Sequence, residues 1–155
     1  MPFHRLYYHI TWVTSGRQPM IVPQIVKAVY AAIRDKAESL RAKVFAIGGT
    51  EDHVHLAVSL PPTIALSDFV ASVKGASAYH INHVPGGEHR IQWQRGYGVL
   101  SFSCDHLSRV VQYVNSQTQH HAEKKLWPSL EDSGEDRQEK QMKVRESRTE
   151  YDPFA

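Results

Sequence analysis

The sequence predicts an α+β domain: a mostly antiparallel sheet with helices packed on one face. Three observations carry this. Runs rich in aromatic and β-branched residues alternate with longer stretches at helical spacing, in the order β-α-β-β-α-β-α. The second and third strand runs are joined closely enough for a hairpin. At 155 residues the chain suits one hydrophobic core.

The first strand is Leu6-Tyr7-Tyr8-His9-Ile10-Thr11-Trp12-Val13-Thr14, broken by Ser15-Gly16-Arg17-Gln18-Pro19. From about Pro23 to Arg41, Ile25, Val26, Val29, Ile33, Ala37 and Leu40 recur at helical spacing, with Pro23 suited to a first turn. Val44-Phe45-Ala46-Ile47 forms the second strand. Gly48-Gly49 turns the chain into a third, which begins near His53 and stops at Pro61-Pro62. A second helix runs from about Ala65 to His80, with Leu66, Phe69, Val70 and Val73 inward and Thr63, Ser67 or Asp68 as caps. Ile91-Gln92-Trp93 and Gly96 to Phe102 read as short strands broken by glycine. A third helix runs from a cap at Asp105 to near Leu126, its buried stripe being Leu107, Val110, Val111 and Val114.

Composition narrows the class. A hydrophobic content of 41% with three Trp, seven Tyr and five Phe indicates a folded globular chain. No apolar run approaches a membrane span, and Met1 to Leu6 lacks the basic-then-apolar build of a signal peptide, so a cytoplasmic protein without a membrane partner is expected. The single cysteine, Cys104, excludes an internal disulfide and a cysteine-based zinc site. Net charge is +2, unevenly spread: residues 131–155 hold eight Asp/Glu against five Lys/Arg, while residues 1–130 hold 13 Lys/Arg against eight Asp/Glu. A basic domain over 1–130 with a charged tail over 131–155, helical or disordered, is compatible with nucleic-acid binding.

The chemistry centres on Glu51-Asp52-His53-Val54-His55-Leu56. Side chains two apart on a strand share a face, so His53 and His55 project together as a pair of metal ligands. Two histidines rarely complete a site. The third helix offers Tyr113 and Gln117, four apart and therefore on one helical face, with Tyr113 on the flank of the buried stripe. Taken alone, a His-x-His pair also arises by chance in a chain with ten histidines, and a helical tyrosine more often packs than reacts.

The order of motifs decides between these readings. Tyr8-His9-Ile10-Thr11-Trp12-Val13-Thr14 with Arg17-Gln18-Pro19, then Glu51 to Leu56, Phe69-Val70-Ala71-Ser72-Val73-Lys74-Gly75-Ala76-Ser77, Trp93-Gln94-Arg95-Gly96-Tyr97, and Tyr113 to Gln117 with His120-His121 follow one another in sequence. In that order the chain resembles the single-tyrosine HUH transposases of the insertion-sequence 200/605 family, over about residues 5 to 122. The resemblance implies a ferredoxin-like, RRM-like HUH nuclease fold, dimeric through its sheet edges. It implies His53, His55 and Gln117 as ligands of Mg²⁺ or Mn²⁺ and Tyr113 as the nucleophile. The implied reaction cleaves and rejoins single-stranded DNA at hairpin-marked transposon ends through a 5′-phosphotyrosine, in a bacterial or archaeal cytoplasm and at the nucleoid during action. Candidate DNA contacts are Lys74, Gly75, Arg95, Trp93 and Tyr97, with Arg90, Arg5 and Arg17 as further phosphate contacts. Gly75 is expected at a close helix–sheet or helix–DNA approach. Two alternatives share the frame: a domesticated hairpin-binding regulator, and a transposase-derived enzyme acting on dispersed genomic hairpin repeats.

Overall fold

The computed structural model describes residues 3–117, 126 and 128–133. Four strands, β1 (Tyr7–Val13), β2 (Lys43–Gly49), β3 (His53–Ser59) and β4 (Gly98–Phe102), form one sheet in the order β2-β3-β1-β4, antiparallel throughout. The helices among the described residues are α1 (Val26–Ser39), α2 (Leu66–Asn82), α3 (Leu107–Asn115) and the single turn α4 (Pro128–Glu131). This is the α+β, antiparallel architecture that the alternation of elements predicts.

Strand alternation sorts residues onto two faces. Ile10 and Trp12 of β1 lie with Val54, Leu56 and Val58 of β3. Over them close Val29, Ile33 and Ala37 of α1 and Phe69, Val70, Val73 and Ile81 of α2. This is the main core, and apolar burial drives it. α1 stops cleanly because Arg41 adopts a left-handed conformation (φ 64°), while Ala42 and Arg41 donate backbone hydrogen bonds to Ala37 and Glu38. α2 begins without a side-chain cap: Thr63, Ser67 and Asp68 do not fill that role, although the charge of Asp68 in the first turn suits the helix dipole.

The opposite face carries the smaller cluster. A register shift between Val44 and Ala46 turns both Phe45 and Ala46 towards it, where they meet Ala57, Val110 and Val114. The expectation of helices on one face therefore describes α1 and α2, whereas α3 and α4 lie across the other. The cause is residue size. His53, His55, Ala57, Ala46 and Gly48 line that face, and a row of small and polar residues admits a helix at close range. A Cβ on Gly48 would stand 1.9 Å from the Val114 carbonyl oxygen, so glycine there is what lets α3 approach β2.

Other expectations shift locally. Gly48 and Gly49 belong to β2, and the hairpin turn is Thr50-Glu51-Asp52. Ile91 to Trp93 forms no strand: Trp93 makes an isolated bridge to Thr14, and the side-chain amide of Asn82 takes up both backbone groups of Ile91 (2.7 and 2.9 Å). The third helix begins at Leu107 after a 3-10 turn over Cys104–His106 and closes at Ser116, while residues 118–125 lie outside the described residues. Of the segment read as a tail, Glu131 to Ser133 pack against the sheet beside the fully buried Leu130, and residues 134–155 lie outside the described residues.

Candidate metal and tyrosine site

The central strand β3 brings His53 and His55 to the face beneath α3, both buried, with ring centroids 4.9 Å apart. Each ring is held from behind. Asp52 Oδ1 lies 2.6 Å from Nδ1 of His53, and Thr50 Oγ1, 2.9 Å from the same nitrogen, donates to that carboxylate at 3.0 Å. A carboxylate only accepts, so His53 carries its proton on Nδ1 and turns Nε2 into the site. His55 is held by His9, whose Nε2 lies 2.7 Å from its Nδ1.

α3 supplies the tyrosine. Sequence spacing sets Tyr113 on the flank of the helix, but the structure buries it, because the Gly48 contact brings the whole helix down onto β2. The Tyr113 ring stands edge-on to His55, centroids 6.0 Å apart. Gln117 is buried one turn on, and its amide donates to the backbone oxygen of Tyr113 at 3.0 Å.

The residue that sequence reasoning missed is Glu131. Its Oε2 lies 3.3 Å from His55 Nε2 and 3.8 Å from His53 Nε2, and its Oε1 accepts a hydrogen bond from the Tyr113 hydroxyl. Its place depends on Gly98, where a Cβ would stand 1.5 Å from the Asp132 oxygen, so the chain after α4 can lie directly on β4. Burial alone would raise the Glu131 carboxyl. The nearby His55, the Tyr113 hydroxyl and then His53 outweigh it and bring the carboxyl down to about 2. Burial likewise pushes Asp52 up, but bonding and charge from His53, then Thr50 and Arg17, hold it below the ordinary carboxylate value.

One nitrogen from each histidine and one oxygen of Glu131 lie within 4.8 Å of one another. Two imidazoles and a carboxylate at such separations fit a divalent cation with positions left over for substrate oxygens. The donor set takes Mn²⁺ and Zn²⁺ readily, so it does not select the ion. A cavity of about 550 Å³ adjoins His53 and is lined by Arg17, Tyr30, Thr50 and Asp52 among others.

The candidate DNA residues divide. Lys74 is half-buried and donates to the carbonyls of Gln94 (2.7 Å) and Gly96 (2.9 Å), and burial lowers its ammonium pKa. Trp93 donates to the Lys74 carbonyl and to Ser77 Oγ, both at 3.1 Å, and meets Trp12 edge-on. Tyr97 packs against the main core. Gly75 is exposed, with nothing within 4 Å of where a Cβ would stand, so it marks no close helix–sheet approach. Arg95 is exposed, as are Arg90, Arg5 and Arg17.

A paired-histidine strand, facing a buried tyrosine across one side of an antiparallel sheet, places the chain with proteins of known kind. The chain belongs to the family of IS200-like transposases, whose profile matches residues 2–117. It is 29% identical over 122 residues to the ISDra2 transposase TnpA of Deinococcus radiodurans, covering 74% of this chain and 85% of that one. It is 24% identical over 115 residues to the transposase for insertion sequence element IS200 of Salmonella typhimurium, covering 71% and 75%. Among solved structures, the crystal structure of a candidate transposase from D. radiodurans matches with a TM-score of 0.57 at 28% identity, covering 75% of this chain and 93% of the other. A REP-associated tyrosine transposase bound to a REP hairpin matches with a TM-score of 0.59 at 16% identity, over 78% and 74%, and bears on the fold alone. Among the described residues no helix is long and apolar enough to cross a membrane.

Proposed function

We propose that the protein is a single-tyrosine HUH transposase that cleaves and rejoins single-stranded DNA at hairpin-marked transposon ends. The observation that carries this reading is the convergence of the Tyr113 hydroxyl and both histidine Nε2 atoms on one carboxylate, a place a scissile phosphate can take. Tyr113 Oη attacks phosphorus, the P–O3′ bond breaks, and the 3′ oxygen leaves as a hydroxyl once it has taken a proton. The phosphate stays on the 5′ side, linked to Tyr113, so the bond energy is kept and a 3′-hydroxyl can reverse the step without ATP. A phenol with an ordinary pKa near 10 needs help at neutral pH.

His53 and His55 would hold Mg²⁺ or Mn²⁺, which would supply positive charge to the phosphate and to the developing oxyanion. Glu131 would complete the donor set in the DNA-free protein, and a phosphate oxygen would take its place in the complex. Gln117 would be the third protein ligand, as the family resemblance implies; its burial beside Tyr113 supports that reading. Arg95 leads the phosphate contacts, and Lys74 and Trp93 shape the loop that carries it. The protein works as a homodimer joined at sheet edges, in the cytoplasm and at the nucleoid.

A second reading, an enzyme serving dispersed genomic hairpin repeats, draws on the fold shared with the REP-associated transposase. The DNA beside the gene separates the two. The test is a denaturing gel: purified protein, labelled single strands carrying hairpins from that flanking DNA, and Mg²⁺ or Mn²⁺, run beside Tyr113→Phe. A covalent adduct that needs metal and vanishes in the variant is expected. Hairpin binding with no adduct on any strand would instead make the protein a domesticated binder.

A further inference from the structure

His9 and His55 sit on the same face of neighbouring strands and are bonded ring to ring, Nε2 to Nδ1, at 2.7 Å. Two neutral imidazoles bonded in this way place one proton between the facing nitrogens, so one ring donates and the other accepts. We propose that His9 is a positioning residue: it accepts the Nδ1 proton of His55 and so leaves Nε2 of His55 as the lone pair turned into the cation site. The inference rests on reading His53 and His55 as ligands.

The register explains why the two rings meet. Ala57 lies directly opposite His9, and Thr11 directly opposite His55, so the contact is diagonal across the β1–β3 pair. The methyl of Ala57 leaves room for the His9 ring to lean along the strand. Thr11 does not compete for His55, since its hydroxyl donates to the Val54 carbonyl at 2.8 Å. His9 and His55 are 1% and 0% exposed, which leaves water no room to replace either partner.

His9 must keep a lone pair to accept. The 2.7 Å approach of its Nε2 to Nδ1 of His55, between two buried rings, sets that lone pair against the ligand ring. With its Nε2 engaged by His55 Nδ1, His9 lies behind the ligand and not in the ligand set. The two metal histidines thus adopt one tautomer through unlike partners: a carboxylate behind His53, a neutral imidazole behind His55. An outer partner of this kind is commonly worth about 10- to 100-fold in metal affinity.

The test uses full-length protein, Mn²⁺ as the probe, and three forms: wild type, His9→Phe and His9→Gln. Glutamine places an amide oxygen near where Nε2 stood and can accept the same proton. Free Mn²⁺ is followed by electron paramagnetic resonance, and the ring nitrogens of His55 by ¹⁵N NMR in the Mg²⁺-loaded protein. The expected result is a proton on Nδ1 of His55 in wild type. Mn²⁺ binding should be weaker by about 10-fold or more in His9→Phe, recovering most of the way in His9→Gln, with cooperative unfolding in all three. A bare Nδ1 on His55 in the loaded wild type overturns the proposal, as does a His9→Phe protein that binds Mn²⁺ like wild type. If wild type itself holds no Mn²⁺, the reading of the two histidines as ligands fails first and takes this inference with it.

Discussion

The Tyr113 hydroxyl donates a hydrogen bond to one oxygen of Glu131, and the other oxygen of that carboxylate lies 3.3 Å from Nε2 of His55. One anionic group therefore spans the tyrosine and the histidine pair. Held near pKa 2, it is a weak base towards a phenol but a good partner for a cation. Under the proposed function it stands where an oxygen of the scissile phosphate would bind.

Glu131→Ala separates those roles. In the DNA-free protein it removes one of three converging donors, and Mn²⁺ should bind about 10-fold more weakly, by analogy with the loss of a supporting group. Adduct formation should survive, because the phosphate supplies the missing oxygen. Adduct yield measured at saturating Mn²⁺ decides it: loss of the adduct there would make Glu131 an essential ligand or base instead.

Tyr113→Phe gives the complementary pattern. The adduct should vanish while Mn²⁺ binding stays within a few-fold of wild type, since no converging donor is lost. The buried carboxylate loses one hydrogen bond, which should lower stability by about 1–3 kcal/mol in thermal or urea unfolding. An adduct that persists would mean another nucleophile.

The histidine pair was legible because strand periodicity is a local rule: once His53 to Ser59 is a strand, His53 and His55 must share a face. Tyr113 was legible as a residue type in a familiar frame, but its burial was not, because burial comes from the depth at which α3 sits on Gly48. Glu131 was hidden for a stronger reason. It falls among charges that read as a solvated tail, and its position depends on a chain return across Gly98 that no local pattern encodes. Two glycines illustrate the point: Gly75 was expected at a close helix–sheet or helix–DNA approach and has open space on the protein side, whereas Gly98, read only as a strand break, carries a close backbone approach. His9 belonged to a recognised strand but offered no sign of its diagonal partner until the register was known.

Gly48→Ala and Gly98→Ala test those approaches. The first pushes the Val114 backbone away and with it Tyr113; the second displaces Asp132 and with it Glu131. Each should destabilise the fold by about 1–3 kcal/mol, because the main core lies on the other face. Gly48→Ala should lower adduct yield at least as much as it lowers stability, whereas Gly98→Ala should reproduce the weakened Mn²⁺ binding of Glu131→Ala. If both variants match wild type in both assays, the close packing of α3 and α4 is unnecessary for the site.

Acid should unfold the protein early, and in two stages. His9 sits at about 3 in the fold against an ordinary 6.5, so as pH falls the unfolded chain takes that proton first and stability drops from about pH 6.5 downwards. Glu131 sits at about 2 against 4.5, so its contribution is present above pH 4.5 and fades as pH falls towards 2. The signs agree, and the combined loss is on the order of a few kcal/mol. Melting temperature against pH should show the decline, with His9→Gln flattening the upper part and Glu131→Ala the lower. A melting temperature that stays level from pH 7 to 5 in wild type contradicts the assignment for His9.

Lys74 and Arg95 lie close in the fold but differ in what surrounds their charge. Lys74 directs two donors onto the Gln94 and Gly96 carbonyls, so its ammonium buttresses the loop, while Arg95, between those two residues, is exposed. A residue that neutralises a phosphate releases a counterion, and its removal reduces the slope of log affinity against log salt by about 0.7 for single strands. Arg95→Ala should therefore flatten the salt dependence of hairpin-strand binding by about that amount while leaving stability within about 0.5 kcal/mol. Lys74→Met should do the opposite: stability falls by about 1 kcal/mol as the Gln94 and Gly96 carbonyls lose their donor, and the salt slope holds. A slope that drops in Lys74→Met, with unfolding unchanged, would return that lysine to the phosphate contacts and leave the loop to be held by Trp93 alone.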